Sequence, residues 1–167
     1  MHNLSGFLED EGGAAAIEFA IVSLPFFLFI FAILEIAMMF FAGTALDTSV
    51  KSVAREIRVG RAQAAGLSSD KMKAEICDGL LNLFDCSDLL KLEVYTVGSM
   101  ADAGKAAPAQ GKGQSSAIGS AGDYVVVRAS LPWKSVTSLI ASGERQSLAD
   151  QYLLSSATVF RNEPFHD

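Results

Sequence analysis

One apolar run dominates this sequence: GAAAIEFAIVSLPFFLFIFAILEIAMMFFAGTAL, from Gly13 to Leu46. Between Ala14 and Leu46 only Glu18 and Glu35 carry charge. As a helix the run would be about 50 Å long, against a hydrocarbon core of ~30 Å. It therefore reads as a single membrane span with helix to spare. Pro25 removes one backbone hydrogen bond, which a transmembrane helix tolerates. A carboxylate at a membrane boundary is costly, and that makes Glu18 a candidate functional residue. Glu35 lies about 25 Å further along the axis and about 100° around it, so the two acids do not share a face. Glu35 suits either the far lipid edge or a partner helix.

The rest of the chain limits the chemistry. Of 167 residues, the span and its leader leave about 120, enough for one small domain. The net charge is −6 and no basic stripe occurs, which argues against a nucleic-acid partner. The two histidines, His2 and His166, stand at the chain ends. That leaves no metal-ligand spacing and no base near a nucleophile. Neither catalytic residues, a cofactor, a metal nor a small-molecule substrate is expected.

The leader MHNLSGFLEDEGG has no apolar segment of its own. An ordinary secretory signal places a short apolar stretch of about 7–15 residues before its cleavage site. Here the apolar run follows the glycines and is longer. The layout resembles a type IV prepilin, in which a short leader ends in Gly, the cut falls on the cytoplasmic side and the apolar segment is kept. With Ala14 as the new first residue, Glu18 is fifth and Phe19 sixth. Cutting between Gly13 and Ala14 would free an α-amine. An amine and a carboxylate near apolar surroundings each cost several kcal/mol unless paired. In type IV pilins the fifth-position Glu is thought to meet the amine of a neighbouring subunit, and the resemblance implies that role for Glu18. The plainer alternative is that it marks the cytoplasmic lipid interface.

Past the span, DTSVKSVAREIRVGRAQAAG has no breaker before Gly60. Leu46, Val50, Val53 and Ile57 share one helical face. A helix is therefore expected to leave the bilayer, giving a transmembrane and stalk segment over 14–66, with its stripe packed on the chain's own domain. A partner-binding groove is the alternative. Orientation is in conflict. Lys51, Arg55, Arg58 and Arg61 follow the span while the leader has no Lys or Arg, and the positive-inside rule would put the C-terminal side in the cytoplasm. The prepilin layout and the cysteines require the reverse.

The remaining domain, 67–167, starts with Ser68, Ser69 and Asp70, good helix N-caps. Met72, Ile76, Leu80 and Leu83 then recur at helical spacing. Cys77 lies on that helix. Cys86 would be about 13 Å away on a continuous helix, too far for a bond. A Cys77–Cys86 disulfide therefore needs the helix to end first, and Asp85 to Asp88 reads as the stop. Two extracytoplasmic cysteines favour that disulfide, with two buried thiols as the alternative. KLEVYTV (Lys91–Val97) reads as a strand. Residues 98–122 read as a flexible surface loop. Asp123–Leu131 is a strand ended by Pro132, Trp133–Ala141 a short helix and Tyr152–Phe160 a third strand. The order predicts an α+β fold: a long N-terminal transmembrane and stalk helix packed on a small antiparallel sheet, pilin-like and single-pass.

Taken together, GAAAIEFA at 13–20, the cysteine pair around DGLLNLFD, YVVVRASLPW at 124–133 and ATVFRNEPF at 157–165 resemble the TadE-like pseudopilins of Tad (Flp, type IVc) pilus systems. The resemblance implies a structural, non-enzymatic minor pilin-like protein that starts, caps or supports pilus assembly. It implies cleavage by a prepilin peptidase between Gly13 and Ala14, with residues 1–13 as a cytoplasmic leader. It gives Glu18 the family's acidic role, and implies the inner membrane, other pseudopilins and the Flp pilus assembly machinery as partners. The domain would lie in the periplasm, and the protein could enter the pilus. The competing reading is a permanently anchored periplasmic binding module for a pilus component or surface ligand, with 98–122 as its recognition loop.

Overall fold

The computed structural model describes residues 11–81, 86–104, 117–133 and 152–165. The chain divides into two compact units. The described part of the first, residues 11–38, is the N-terminal stretch of one long helix. The second holds the remaining described residues, from Met39 onward.

That helix, α1, spans Glu11–Arg58 with Pro25 inside it. It is long and apolar enough to cross a membrane. Most of its large apolar side chains from Ile17 to Phe41 are exposed, as a lipid-facing surface requires, with Ile30 and Met39 partly buried. From Ala42 the pattern changes. Leu46, Val50, Val53 and Ile57 are fully buried, so the expected stripe packs on the chain's own domain.

The helix stops where the backbone must turn. Gly60 has φ 79°, and a Cβ there would meet the Phe165 side chain at 2.5–3.0 Å. A short helix α2, Arg61–Ala64, follows. Then α3, Ser69–Gly79, is capped by Ser68, whose side chain accepts from the Lys71 N–H. Met72, Ile76 and Cys77 face the core. Leu83 of the expected periodicity lies outside the described residues.

Cys77 and Cys86 form a disulfide with their Cα atoms 5.6 Å apart. The helix does end first, as that bond requires, but earlier than expected. It closes at Gly79 and Leu80, and Cys86 opens a new helix, α4 (Cys86–Leu89). Of the expected stop, Asp85 lies outside the described residues, and Cys86 to Asp88 are helical.

The sheet is antiparallel in the order β1 (Lys91–Val97), β2 (Tyr124–Trp133), β3 (Tyr152–Arg161). Its core face carries Leu92 and Val94, then Val125, Val127, Ala129 and Leu131, then Leu154, all buried against α1 and α3. Pro132 does not end β2. It pairs with Leu153, and the strand runs on to Trp133. The reason is local: β1 begins at Lys91 opposite Ser130, so beyond Ser130 β2 has β3 on one side and no β1 on the other. A proline is accommodated at such an edge. Trp133 is therefore a buried strand residue, not the first residue of a helix; 134–141 lie outside the described residues. The 98–122 segment is not wholly loop, because Met100–Ala103 form a short helix, α5.

Candidate functional site

β3 and the tail behind it run alongside α1 in the same direction. A Cβ on Gly43 would stand 3.8 Å from Leu154 Cδ2. Four residues on, Asp47 Oδ1 accepts from the Ser156 hydroxyl at 2.9 Å. At the far end Arg58 pairs with Glu163 at 3.0 Å and its carbonyl accepts from the Glu163 N–H. Phe165 then fills the space beside Gly60.

The last turn of this seam is held by side-chain amides. Asn162, only 3% exposed, donates through Nδ2 to the carbonyls of Ile118 and Ser120. Gln63 Nε2 donates to Ile118 and Gly119. Two amides from separate elements thus fix the approach to β2. Sequence reading missed them, and the only available signal was a polar Asn following the alternating Thr158–Phe160 stretch.

On another side, α3 descends along α1. Glu75 is within electrostatic range of Glu56 and Arg61, and Gly79 abuts Ser49. A Cβ on Gly79 would overlap the Ser49 hydroxyl and stand 2.9 Å from its Cβ. Below this crossing is an open cleft of about 490 Å³, bordered by Phe41, Ala45, Ser52, Glu75 and Leu81. Its wall is less polar than its composition suggests. Thr44, Thr48 and Ser49 donate their hydroxyls back to the carbonyls of Phe40, Thr44 and Ala45. Burial pushes the Glu75 carboxyl above its usual range, and the Glu56 charge adds to that.

The residues expected to carry processing and assembly lie at the other end of α1. Gly13 and Ala14 fall within its first turns, and nothing stands within 4 Å of a Cβ placed on Gly13. Glu18 is exposed, and Phe19 is 73% exposed. Glu35 is half-buried. The structure therefore presents Glu18 and Phe19 outward along the apolar segment and keeps the two cysteines together in the second unit.

Residues 13–55 match the TadE-like protein family. The match starts at Gly13 and ends inside the buried stripe of α1. The TadE-like segment thus covers the whole apolar run and the first turns that enter the domain core. A TadE-like segment implies a component associated with a Tad pilus, and the family is one of structural pilus proteins. Comparison with curated proteins and with solved structures finds no match.

Proposed function

We propose that this chain is a minor pilin-like component that starts or supports assembly of a Tad pilus after a prepilin peptidase removes residues 1–13. The observation that carries the reading is where the TadE-like match begins: at Gly13, on the GAAAIEFA sequence that places an acid five residues after the proposed cut. In this reading residues 14–66 anchor the chain in the inner membrane, and residues 67–167 complete the periplasmic domain. Its partners are the peptidase, other pseudopilins and the Flp assembly machinery.

The mechanism follows from desolvation. Cleavage leaves an ammonium on Ala14 at the edge of an apolar helix. Glu18 stands on the same helix, exposed and close to that edge. Pairing the ammonium of one subunit with the Glu18 carboxylate of the next offsets two burial costs of several kcal/mol each. It also fixes the axial register between subunits. An uncleaved chain lacks the amine and cannot make this pairing.

Two measurements test the reading. Mass spectrometry of the membrane-extracted protein from cells with an active prepilin peptidase should find Ala14 as the first residue. A Met1 terminus in those cells refutes it. Glu18→Ala should leave cleavage intact and abolish co-purification with the pilus assembly. Undiminished incorporation would remove the pairing role.

A further inference from the structure

The second unit exposes its large apolar side chains very unevenly. Among the described residues from Met39 on they are Phe40, Phe41, Leu81, Met100, Tyr152 and Leu153. All but Met100 gather at one end.

The seams along α1 fix that end. β3 pairs with α1 at Leu154 beside Gly43 and at Ser156 beside Asp47, so Tyr152 and Leu153 extend to the level of Phe40 and Phe41. On another side α3 descends from Glu75 to Gly79 beside Ser49. Leu81 continues in that direction and shares the cleft with Phe41. Two separate elements thus carry exposed apolar groups to the same turns of α1. Those turns belong to the apolar run, which has no charge between Glu35 and Asp47. Met100 stands at the opposite end of the sheet. It follows Val97, whose partner Tyr124 pairs with Arg161, close to the Glu163–Arg58 bridge. That bridge is roughly 20 Å up α1 from Gly43.

Leu81 adds an independent observation. It is 71% exposed and has φ 57°, a left-handed conformation usually left to Gly or Asn. A glycine would relieve the backbone and remove the exposed side chain. The chain keeps a leucine there, 2.9 Å from its N–H to the Asp78 carbonyl. The left-handed turn at Leu81 is the one that ends α3, and it leaves the leucine side chain directed outward beside Phe41.

We infer that the base of the second unit is seated in the headgroup layer of the leaflet on its own side of the bilayer, with Leu81 on one side of α1 and Tyr152–Leu153 on another dipping toward the acyl chains. The occupant of this surface is lipid because the patch is continuous with the exposed apolar helix surface at Phe40 and Phe41, which belongs to the candidate membrane span. Tyr152, 60% exposed, has the amphipathic ring that favours this depth. The domain then sits on the membrane and does not stand away from it on a free stalk. The inference rests on the membrane span and is independent of the pilus role.

Depth-dependent fluorescence tests it. Full-length Leu81→Trp, Leu153→Trp and Met100→Trp chains are placed in phosphatidylethanolamine–phosphatidylglycerol vesicles containing lipids brominated high on the acyl chain. Emission is read as the difference from the parent chain, which retains Trp133. All three sites are exposed, so folding is preserved, and Cys77–Cys86 oxidation verifies it. An interfacial residue sits about 5–10 Å into the boundary. The added emission at 81 and 153 should therefore fall ~2-fold or more, while that at 100 is unchanged. Values at 81 or 153 equal to those at 100 overturn the seating. So does a loss of quenching that accompanies a cross-linkable dimer, which would make the patch a protein contact. Resistance to alkaline extraction reports the span separately, so failure of the anchor is distinguishable from failure of the seat.

Discussion

Single atoms decide how closely α3 and α1 can approach. Gly79 has no Cβ, and the Ser49 side chain occupies the place where one would stand. Gly79→Ala forces the crossing apart, and overpacking of this kind costs about 1–3 kcal/mol. The thermal unfolding midpoint, followed by circular dichroism in micelles, should fall accordingly; an unchanged midpoint would show that the crossing gives way freely. Glu75, higher on the same crossing, acts through pH. Burial, and secondarily the Glu56 charge, raise its folded pKa above the ordinary glutamate value. Between the unfolded and folded values the native state binds the extra proton, so stability falls as pH rises through this window. Glu75→Gln removes the penalty. The variant should be more stable than the parent at neutral pH, with the gap closing as the pH drops below about 4. A constant gap across urea titrations at several pH values would assign the effect to packing.

At the scale of elements, the disulfide closes the short segment between α3 and α4. Cross-linking a loop of this length stabilises by about 2–3 kcal/mol, chiefly by restricting the unfolded chain. Reduction, or paired Cys77→Ser and Cys86→Ser changes, should lower the urea midpoint, with a slope equal to or slightly steeper than the parent's because the released unfolded chain exposes more surface. An equal midpoint would mean the loop is ordered without its bond. The elements themselves were readable from period and composition: the apolar run, the Leu46–Ile57 stripe, the Ser68 cap and β1 needed only local rules. What could not be read depended on neighbours. Pro132 looks like a strand end until β1 is seen to begin at Lys91, opposite Ser130. Cys86 looks like part of a helix stop, yet it opens α4. The amides of Gln63 and Asn162 meet the same carbonyl of Ile118 from distant parts of the sequence, and no local pattern announces such a meeting. Gly13, Ala14, Glu18 and Phe19 were the reverse case. Their spacing suggested a role from sequence, while their exposed helical surroundings add only that Glu18 and Phe19 are free to meet another chain.

For the whole molecule, charge and fold together bear on which side of the membrane receives the domain. The basic residues after the span oppose a periplasmic location if they are counted as bare charges. In the fold, three of them face carboxylates: Lys51 with Asp47 at 2.6 Å, Arg58 with Glu163 at 3.0 Å and Arg61 with Glu56 at 3.2 Å. Exposed pairs of this kind add little stability, but they couple the positive charges to a unit that folds as a whole. Long translocated domains also follow the charge rule weakly. The Cys77–Cys86 bond points the same way, since such bonds persist in oxidising compartments. Alkaline phosphatase fused after Asp167 should therefore be active in cells, and a green fluorescent reporter at the same junction should be dark. The reverse pattern would place the domain in the cytoplasm. It would also remove the proposed leader from the side where a prepilin peptidase cuts, so this one measurement bears on both the anchor and the processing at Gly13.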